Sequence, residues 1–377
     1  MIRRGPSPST VVIVSVSLLC ALGLVMVYSA SSVTAVRQGG PSWSIVARQT
    51  AWLCLGLVVA WAASKVDWRT WRDRVALPLM VISVGALGYV AVGVIAQKAG
   101  GSLPFVITVN GATRWIGAGS MQFQPSDLAK PALILWLAKL LSERRRDLRN
   151  WEGLRPVLIW SGLTCALVVL GDDLGTTMLL GAITVAMVFM AGAPVRKVLT
   201  ICGVAGGLGL AAIFGLERFR VTRILAFLEP DKYRQGAGWQ LWQSQIGFAS
   251  GGVFGTGPGT ARSKWGFLPE AHTDFILAVI GEELGLVGSL VVLGLFVAFM
   301  AAGCSIGMRC TNVFTRLVAF GVTTWIGVQA LINIGVTVGT LPTKGITLPF
   351  VSYGGSSLMM SLFGVGILLS VARSVKA

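Results

Sequence analysis

Residues 11–30 have the sequence VVIVSVSLLCALGLVMVYSA, which contains no charged side chain. An α-helix needs about 20 apolar residues to cross the roughly 30 Å hydrocarbon core of a bilayer, and this stretch is long enough. The apolar core of a cleaved signal peptide is shorter, at about 7–15 residues. We therefore expect a transmembrane helix that is retained in the protein.

The rest of the chain continues this pattern. Of its 377 residues, 54% are hydrophobic and only 12% are charged, and the mean hydropathy is +0.76. Too few polar side chains are present to cover a water-facing surface, so lipid is the expected solvent. Further candidate spans lie at 46–64, 75–96, 127–142, 156–171, 174–193, 198–216, 273–301, 314–339 and 347–372. The sequence predicts an all-α, polytopic integral membrane protein with about ten transmembrane helices, in a single domain over residues 1–377.

The positions of Lys and Arg predict the orientation, because cytoplasmic loops are enriched in these residues. With a cytoplasmic N-terminus, the cytoplasmic side receives Lys65, Arg69, Arg72, Arg74, Lys139, Arg144, Arg145, Arg146, Arg149, Arg155, Arg196, Lys197, Arg309, Arg316, Arg373 and Lys376. Ten helices then return the C-terminus to the cytoplasm. This topology accounts for most of the net charge of +16, so the charge does not indicate a nucleic-acid partner.

One region departs from this bias. Residues 217–272 form a large extracytoplasmic loop under this topology, yet the loop is rich in basic residues: Arg218, Arg220, Arg223, Lys232, Arg234, Arg262 and Lys264, against Glu217, Glu229, Asp231 and Glu270. An external cationic surface suits an anionic ligand. The alternative is that so long a loop escapes the positive-inside rule and its charge only contacts lipid headgroups.

Cysteine and glycine are less informative. The six cysteines show no Cys-x-x-Cys spacing, so neither a disulfide framework nor a zinc site is indicated. Gly203 and Gly207 have the small-xxx-small spacing that allows membrane helices to pack closely. No internal repeat is evident, which disfavours the inverted-repeat transporters.

A first polar cluster spans NGATRWI, at residues 110–116, and FQPSDLAK, at residues 123–130. Pro125 suits the first turn of a helix, and Asp127 suits its positive end. Lys130 then falls about one turn into the membrane, where a cation is costly and is a functional hypothesis by default. The alternative is a structural pair between Lys130 and Asp127 at i,i+3 spacing.

A second cluster, Asp172 and Asp173, lies in a tight connection between two apolar stretches. Adjacent carboxylates suit a hard cation, but two of them alone are a weak metal signal. Capping of the following helix by Asp173 is the favoured interpretation.

The third cluster, LPEAHTDF at residues 268–275, precedes a long apolar stretch and includes Glu270, His272 and Asp274. His272 is the one histidine of the chain, so it has no second histidine with which to form a zinc site. Asp274 lies where desolvation raises the pKa of a carboxyl toward that of a general base, although the helix dipole opposes this. The alternative is an ordinary N-cap.

The fourth cluster is LPTKGITLPFVSYGGSS, at residues 341–357, which contains Lys344 and Ser352. Two prolines and a run of small residues beside the last apolar stretch predict a broken, non-helical segment. Such backbone is tolerated at membrane depth only when it is buried in protein or lines a cavity. We expect this segment to form a cavity wall.

Together, NGATRWI, FQPSDLAK, DLGTT, LPEAHTDF, GEELG and LPTKGITLPFVSYGGSS resemble the motifs of the SEDS family (shape, elongation, division, sporulation) of bacterial cell-envelope proteins. The resemblance extends along nearly the whole chain, and Lys344 favours the division branch over the elongation branch. Two residues depart from the family pattern: Asp127, where Glu is common, and Asp172, where Pro is usual.

The resemblance implies a peptidoglycan glycosyltransferase that polymerises lipid II into β-1,4-linked strands and releases undecaprenyl diphosphate in septal cell-wall synthesis. It implies that Asp274 is the catalytic base. The candidate substrate-binding residues are Lys130, Arg114, Glu270, His272, Lys344 and Ser352. A divalent cation, Mg²⁺ or Mn²⁺, suits the diphosphate chemistry, although the sequence does not define a site for it.

The resemblance also implies partners: membrane lipids, a class B penicillin-binding protein transpeptidase and other division proteins, at the septum of the bacterial inner membrane. Three alternatives stay open: an elongation polymerase, a lipid II flippase or transporter, and a catalytically silent scaffold. A transporter needs ionisable groups toward both membrane faces, and Glu282 and Glu283 are the deeper candidates.

Overall fold

The computed structural model describes residues 6–109, 112–118, 121–144, 148–216, 218–229 and 232–375. Several residues named above lie outside these ranges: Asn110, Gly111, Arg145, Arg146, Glu217, Asp231 and Lys376. The helices are α1 (Pro8–Arg37), α2 (Ser44–Lys65), α3 (Trp68–Thr70), α4 (Ala76–Lys98), α5 (Pro125–Glu143), α6 (Trp151–Leu170), α7 (Leu174–Met190), α8 (Val195–Leu216), α9 (Arg218–Leu228), α10 (Trp239–Gly251), α11 (Ile276–Arg309), α12 (Val313–Val338) and α13 (Gly355–Arg373).

The structure confirms the all-α membrane class, and each of the ten predicted stretches overlaps a helix. Within the described residues, seven helical segments are long and apolar enough to cross a membrane. Helix α5 is not among them and carries four ionisable side chains, while α7 has only 17 residues. The count of ten spans, the cytoplasmic termini and the single-domain boundary stay predictions.

The centre of the bundle is formed by α12 and α13, the most buried of these membrane segments. Helix α13 packs closely on α2, because a Cβ on Gly366 would lie 2.5 Å from the carbonyl oxygen of Ala60. Only glycine permits this approach. By contrast, Gly203 and Gly207 of α8 face open space, so the close packing predicted for that pair is not seen.

Helix α11 is interrupted about a third of the way along from its N-terminal end. Gly285 has φ 68° and ψ −163°, a conformation that glycine adopts readily and other residues rarely do. The residues after α10 satisfy the freed backbone groups: the amide of Thr256 donates to the carbonyl of Glu282 at 2.9 Å, and that of Leu286 donates to Gly252 at 3.0 Å. The break is therefore buried in protein, as membrane-depth backbone requires.

A small antiparallel sheet was not predicted. Strands β1 (Val106–Val109), β2 (Ala112–Ala118) and β3 (Met121–Phe123) pair in the order β1-β2-β3 between α4 and α5. The strands are short, and the β-branched sequence VITV favours extended backbone. The sheet positions Arg114, on β2, beside the start of α7, where its guanidinium lies 4.0 Å from the Asp173 carboxylate.

The segment predicted as a large loop is partly helical. It contains α9, α10 and a 3₁₀ turn at Ser263–Trp265, and α10 packs along α11. A Cβ on Gly251 would overlap the carbonyl oxygen of Gly281, so the two helices touch through backbone at this point. Its placement on the extracytoplasmic side stays a prediction.

Candidate active site

Asp274 lies immediately before α11, and its carbonyl oxygen accepts a hydrogen bond from Asn333 Nδ2 at 2.8 Å. Phe275 occupies the N-cap position, and no side chain in the described residues caps this helix. The interpretation of Asp274 as an ordinary N-cap is therefore not supported. A Cβ on Gly345 would lie 3.2 Å from Asp274 Oδ2, so the carboxylate faces the broken segment at its glycine.

Two arginines approach the same point. The Cβ position of Gly345 is 3.9 Å from Arg114 Nη2, and Arg114 Nη1 lies 4.0 Å from Asp173 Oδ1. Arg223, on α9, donates from Nη1 to the carbonyl of Thr343 at 3.4 Å. Among the described residues, Nε of Arg114 is buried without a hydrogen-bond partner. Positive charge is thus concentrated beside Asp274.

Burial and neighbouring charges set the protonation of Asp274. Burial and, to a lesser extent, the nearby Glu270 carboxylate raise the pKa of Asp274 to about 7, while Arg114 and Arg223 oppose the shift. A carboxyl with this pKa is partly ionised at neutral pH. It can therefore accept a proton from a hydroxyl and later release it, as a general base must.

Glu270 and His272 form the turn before Asp274. Glu270 has φ 57°, and Oγ1 of Thr273 donates to its Oε2 at 2.8 Å. The carbonyl of His272 accepts from the amide of Tyr353 at 2.9 Å, and the two rings lie 5.5 Å apart. Burial lowers the pKa of His272, although Glu270 partly opposes this, so the neutral imidazole is favoured. These contacts join LPEAHTDF to the broken segment.

The broken segment between α12 and α13 is non-helical, as predicted, and largely buried. Ser352 stabilises the segment from within. Its Oγ accepts from the amide of Leu348 at 2.8 Å, and Gln49 donates to its carbonyl at 3.1 Å. Lys344, near the N-terminal end of the segment, lies beside the Met178 sulfur of α7. Substrate contacts by Ser352 and Lys344 stay predictions.

Lys130, on α5, is buried, with 3% of its surface exposed. Its Nζ lies 2.7 Å from Asp127 Oδ1, and the Ser356 hydroxyl donates to Asp127 Oδ2 at 2.7 Å. The i,i+3 pair that the sequence offered as an alternative is therefore present. Lys130 Nζ also donates to Gln329 Oε1 at 3.5 Å. A direct contact between Lys130 and substrate stays a prediction.

Asp173 caps α7, as predicted, by accepting from the amide of Thr176 at 3.0 Å. Its other oxygen accepts from Gln124 at 2.8 Å and from Ser126 at 3.0 Å. Within the described ranges, no three His, Cys, Asp or Glu side chains gather as a metal site would require. Asp173 therefore connects the start of α5, the start of α7 and Arg114 through hydrogen bonds and an ion pair.

The model of the cell cycle protein family FTSW_RODA_SPOVE matches residues 9–377. The chain belongs to this family. Membership in the FtsW/RodA/SpoVE family confirms the resemblance drawn from the motifs, including its extent along nearly the whole chain.

Relatives in the family align over almost their full length. The Coxiella burnetii protein named "Probable peptidoglycan glycosyltransferase FtsW" is 41% identical over 372 residues, which cover 96% of this chain and 95% of the relative. "Stage V sporulation protein E" of Bacillus subtilis is 36% identical over 377 residues, 99% of each chain.

Two solved structures share the fold. One, described as "Structural coordination of polymerization and crosslinking by a peptidoglycan synthase complex", superposes with a TM-score of 0.77 at 30% identity, covering 97% of each chain. The rod shape determining protein RodA of Thermus thermophilus gives 0.70 at 29% identity, also covering 97% of each chain.

In this FtsW/RodA/SpoVE family member, the predicted residues Asp274, Arg114, Glu270 and His272 lie around the broken segment, whereas Lys130 is buried on α5. The sequence did not predict that Arg223 approaches the broken segment, nor the hydrogen bonds that Gln329 and Asn333 make to it. Gln329, Asn333 and Thr337 recur every four residues within an apolar stretch, and this spacing marks one polar helix face.

Proposed function

We propose that the chain is an inverting peptidoglycan glycosyltransferase that joins lipid II units into β-1,4-linked glycan strands and releases undecaprenyl diphosphate. One observation carries this proposal: a carboxylate with a pKa of about 7 faces a glycine of the broken segment beside two arginines. The name of the Coxiella burnetii relative, a probable peptidoglycan glycosyltransferase, supports the same activity.

In the proposed reaction, Asp274 accepts the proton of the acceptor sugar hydroxyl as its oxygen attacks the anomeric carbon of the donor. The new glycosidic bond forms as the bond between that carbon and the diphosphate oxygen breaks, and the electron pair leaves with the diphosphate. A single in-line displacement inverts the anomeric centre. One carboxylate is sufficient, because no covalent intermediate is formed.

The leaving group requires positive charge, which Arg114 and Arg223 supply from two different elements, β2 and α9. Cations placed where charge develops in the transition state are often the largest single contribution to catalysis. We propose that Glu270 and His272 orient Asp274 and the sugar, and that Lys130, Lys344 and Ser352 line the path of the substrate. A divalent cation, Mg²⁺ or Mn²⁺, would add to the charge that the arginines present.

We place the protein in the bacterial inner membrane at the division septum, with both termini cytoplasmic and the active site facing outward. A class B penicillin-binding protein transpeptidase is the proposed partner, together with other division proteins. Its support is the fold shared with a protein of a complex that coordinates polymerisation and crosslinking. An elongation role is the alternative within the family, since RodA shares the fold as well.

A flippase is the alternative from another class. The deeper carboxylates that such an activity would use are held by local hydrogen bonds: Glu282 accepts from the amide of Arg262 at 2.7 Å, and Glu283 accepts from the Ser29 hydroxyl at 2.6 Å. These contacts tie α11 to the 3₁₀ turn and to α1. They favour a structural role for both glutamates.

Purified protein with purified lipid II tests the proposal, and glycan strands resolved by electrophoresis are the expected product. The reaction is run with and without a class B transpeptidase whose active-site serine is blocked by penicillin. Glycan strands that form only when this chain is present would support the polymerase activity. Intact lipid II under every condition, including added Mg²⁺ or Mn²⁺, would contradict it and favour a flippase or a scaffold.

A further inference from the structure

Asn333 lies near the C-terminal end of α12, with 1% of its surface exposed. Its Nδ2 donates two hydrogen bonds, to the carbonyl of Asp274 at 2.8 Å and to the carbonyl of Ile346 at 2.7 Å. A single side chain thus joins three elements: the turn before α11, helix α12 and the broken segment. The carboxylate of Asp274 faces Gly345, the neighbour of Ile346 in that segment.

The orientation of this amide is determined by its partners. Both carbonyl oxygens are acceptors, so a rotated amide would direct its own oxygen at two acceptors and lose both bonds. Within the described part of the chain, the Asn333 carbonyl oxygen is buried without a hydrogen-bond partner. Leaving a buried acceptor unsatisfied costs free energy, and such groups call for an explanation beyond packing.

The neighbouring turn of α12 provides a comparison. Gln329 donates from Nε2 to the carbonyl of Thr347 at 3.0 Å and accepts from the Trp325 indole at 2.9 Å. Both amides therefore support consecutive carbonyls of the broken segment. Of these two side chains, Asn333 is the one that also donates a hydrogen bond to the carbonyl of Asp274. Asn333 is thus placed to set the distance between Asp274 and the wall that it faces.

We propose that Asn333 is a positioning residue, whose amide holds the backbone of Asp274 so that its carboxylate meets the acceptor hydroxyl beside Gly345 and Arg114. This inference rests on the proposed glycosyltransferase function and adds a determinant of its rate. A shift of about 1 Å in a reacting group can cost about 10²-fold in rate. The arginines bind the diphosphate from other elements, so substrate affinity does not depend on Asn333.

The test measures kcat and KM for lipid II in two variants. Asn333→Leu removes both hydrogen bonds at similar volume, and Asn333→Ser removes them while keeping a small polar side chain at this position. Both variants are expected to lower kcat by about 10- to 100-fold and to leave KM within about threefold. The acidic limb of the pH profile should also move, because the pKa of Asp274 depends on its distance from Glu270, Arg114 and Arg223.

Thr337→Val is the matched control, one turn further along the same face of α12. Thr337 is fully buried, and its hydroxyl donates to the backbone carbonyl of Asn333 at 2.7 Å. The variant removes a buried polar contact from this helix without touching Asp274. It should keep kcat and the pH profile of the wild type.

Wild-type kcat and an unmoved pH profile in both Asn333 variants would overturn the inference while leaving the proposed function intact. So would an equal loss in Thr337→Val, since that result indicates a general packing defect of α12. A wild-type chain that does not polymerise lipid II overturns the proposed function itself, and the inference with it. The two failures are therefore distinguishable in one set of assays.

Discussion

Asp274→Asn is expected to reduce lipid II polymerisation by about 10²- to 10⁴-fold, the usual effect of losing a general base. Asparagine has the size of aspartate and keeps the backbone carbonyl that Asn333 holds, but it cannot accept the hydroxyl proton. Folding should not suffer, because burial already disfavours the charged form of Asp274. The measurement is the initial rate of the purified variant in complex with its transpeptidase partner.

A thermal melt in the same detergent is the control for this variant. A melting temperature at or above that of the wild type, together with lost activity, assigns the effect to chemistry. Activity within a few fold of the wild type would remove Asp274 from the catalytic role. Because Phe275 rather than Asp274 occupies the N-cap position, the substitution does not remove a helix cap.

Lys130→Met is expected to destabilise the protein by about 3–5 kcal/mol, because it leaves the buried carboxylate of Asp127 without its cation. The two side chains are only 4% and 5% exposed, and their charged atoms are 2.7 Å apart. Reduced abundance in membranes and a lower melting temperature are the observables.

The double variant Asp127→Asn/Lys130→Met separates structure from substrate binding. It removes both charges, and the Ser356 hydroxyl still has an acceptor at position 127. We expect it to recover most of the stability that the single variant loses but not the polymerisation activity, because the proposed substrate path still lacks the Lys130 cation. A double variant that is stable but inactive would show that Lys130 contacts the substrate, as the motif analysis predicted. A double variant as unstable as the single one would contradict the ion-pair account.

Much of the fold was predictable, because membrane helices have a strong sequence signal. Apolar length alone located a helix at each of the ten predicted stretches. The sheet was missed because its strands are only three to seven residues long and carry no extended alternation. Helices α9 and α10 were missed because the segment that contains them, residues 217–272, is rich in basic residues and glycine, which had been taken as loop features.

The site was predictable in part. Asp274 and Arg114 were identified as residues of polar clusters beside apolar stretches, but their approach depends on how β2, α11 and the broken segment pack. Sequence spacing contains no information on such a contact between elements more than a hundred residues apart. Asn333 was overlooked because a few amides in an apolar helix look like ordinary packing residues. Its two hydrogen bonds are a property of the fold.

The pH dependence of polymerisation tests the central claim, that Asp274 accepts the proton of the acceptor hydroxyl. The carboxylate is the active form, and its pKa is raised to about 7, so the wild-type rate should rise with pH through about 7 and fall below it. In Glu270→Gln the same limb should lie at lower pH, because a negative charge that raises the pKa of Asp274 is removed. A wild-type rate that is flat between about pH 5 and pH 9 would contradict the claim, as would an unchanged limb in Glu270→Gln.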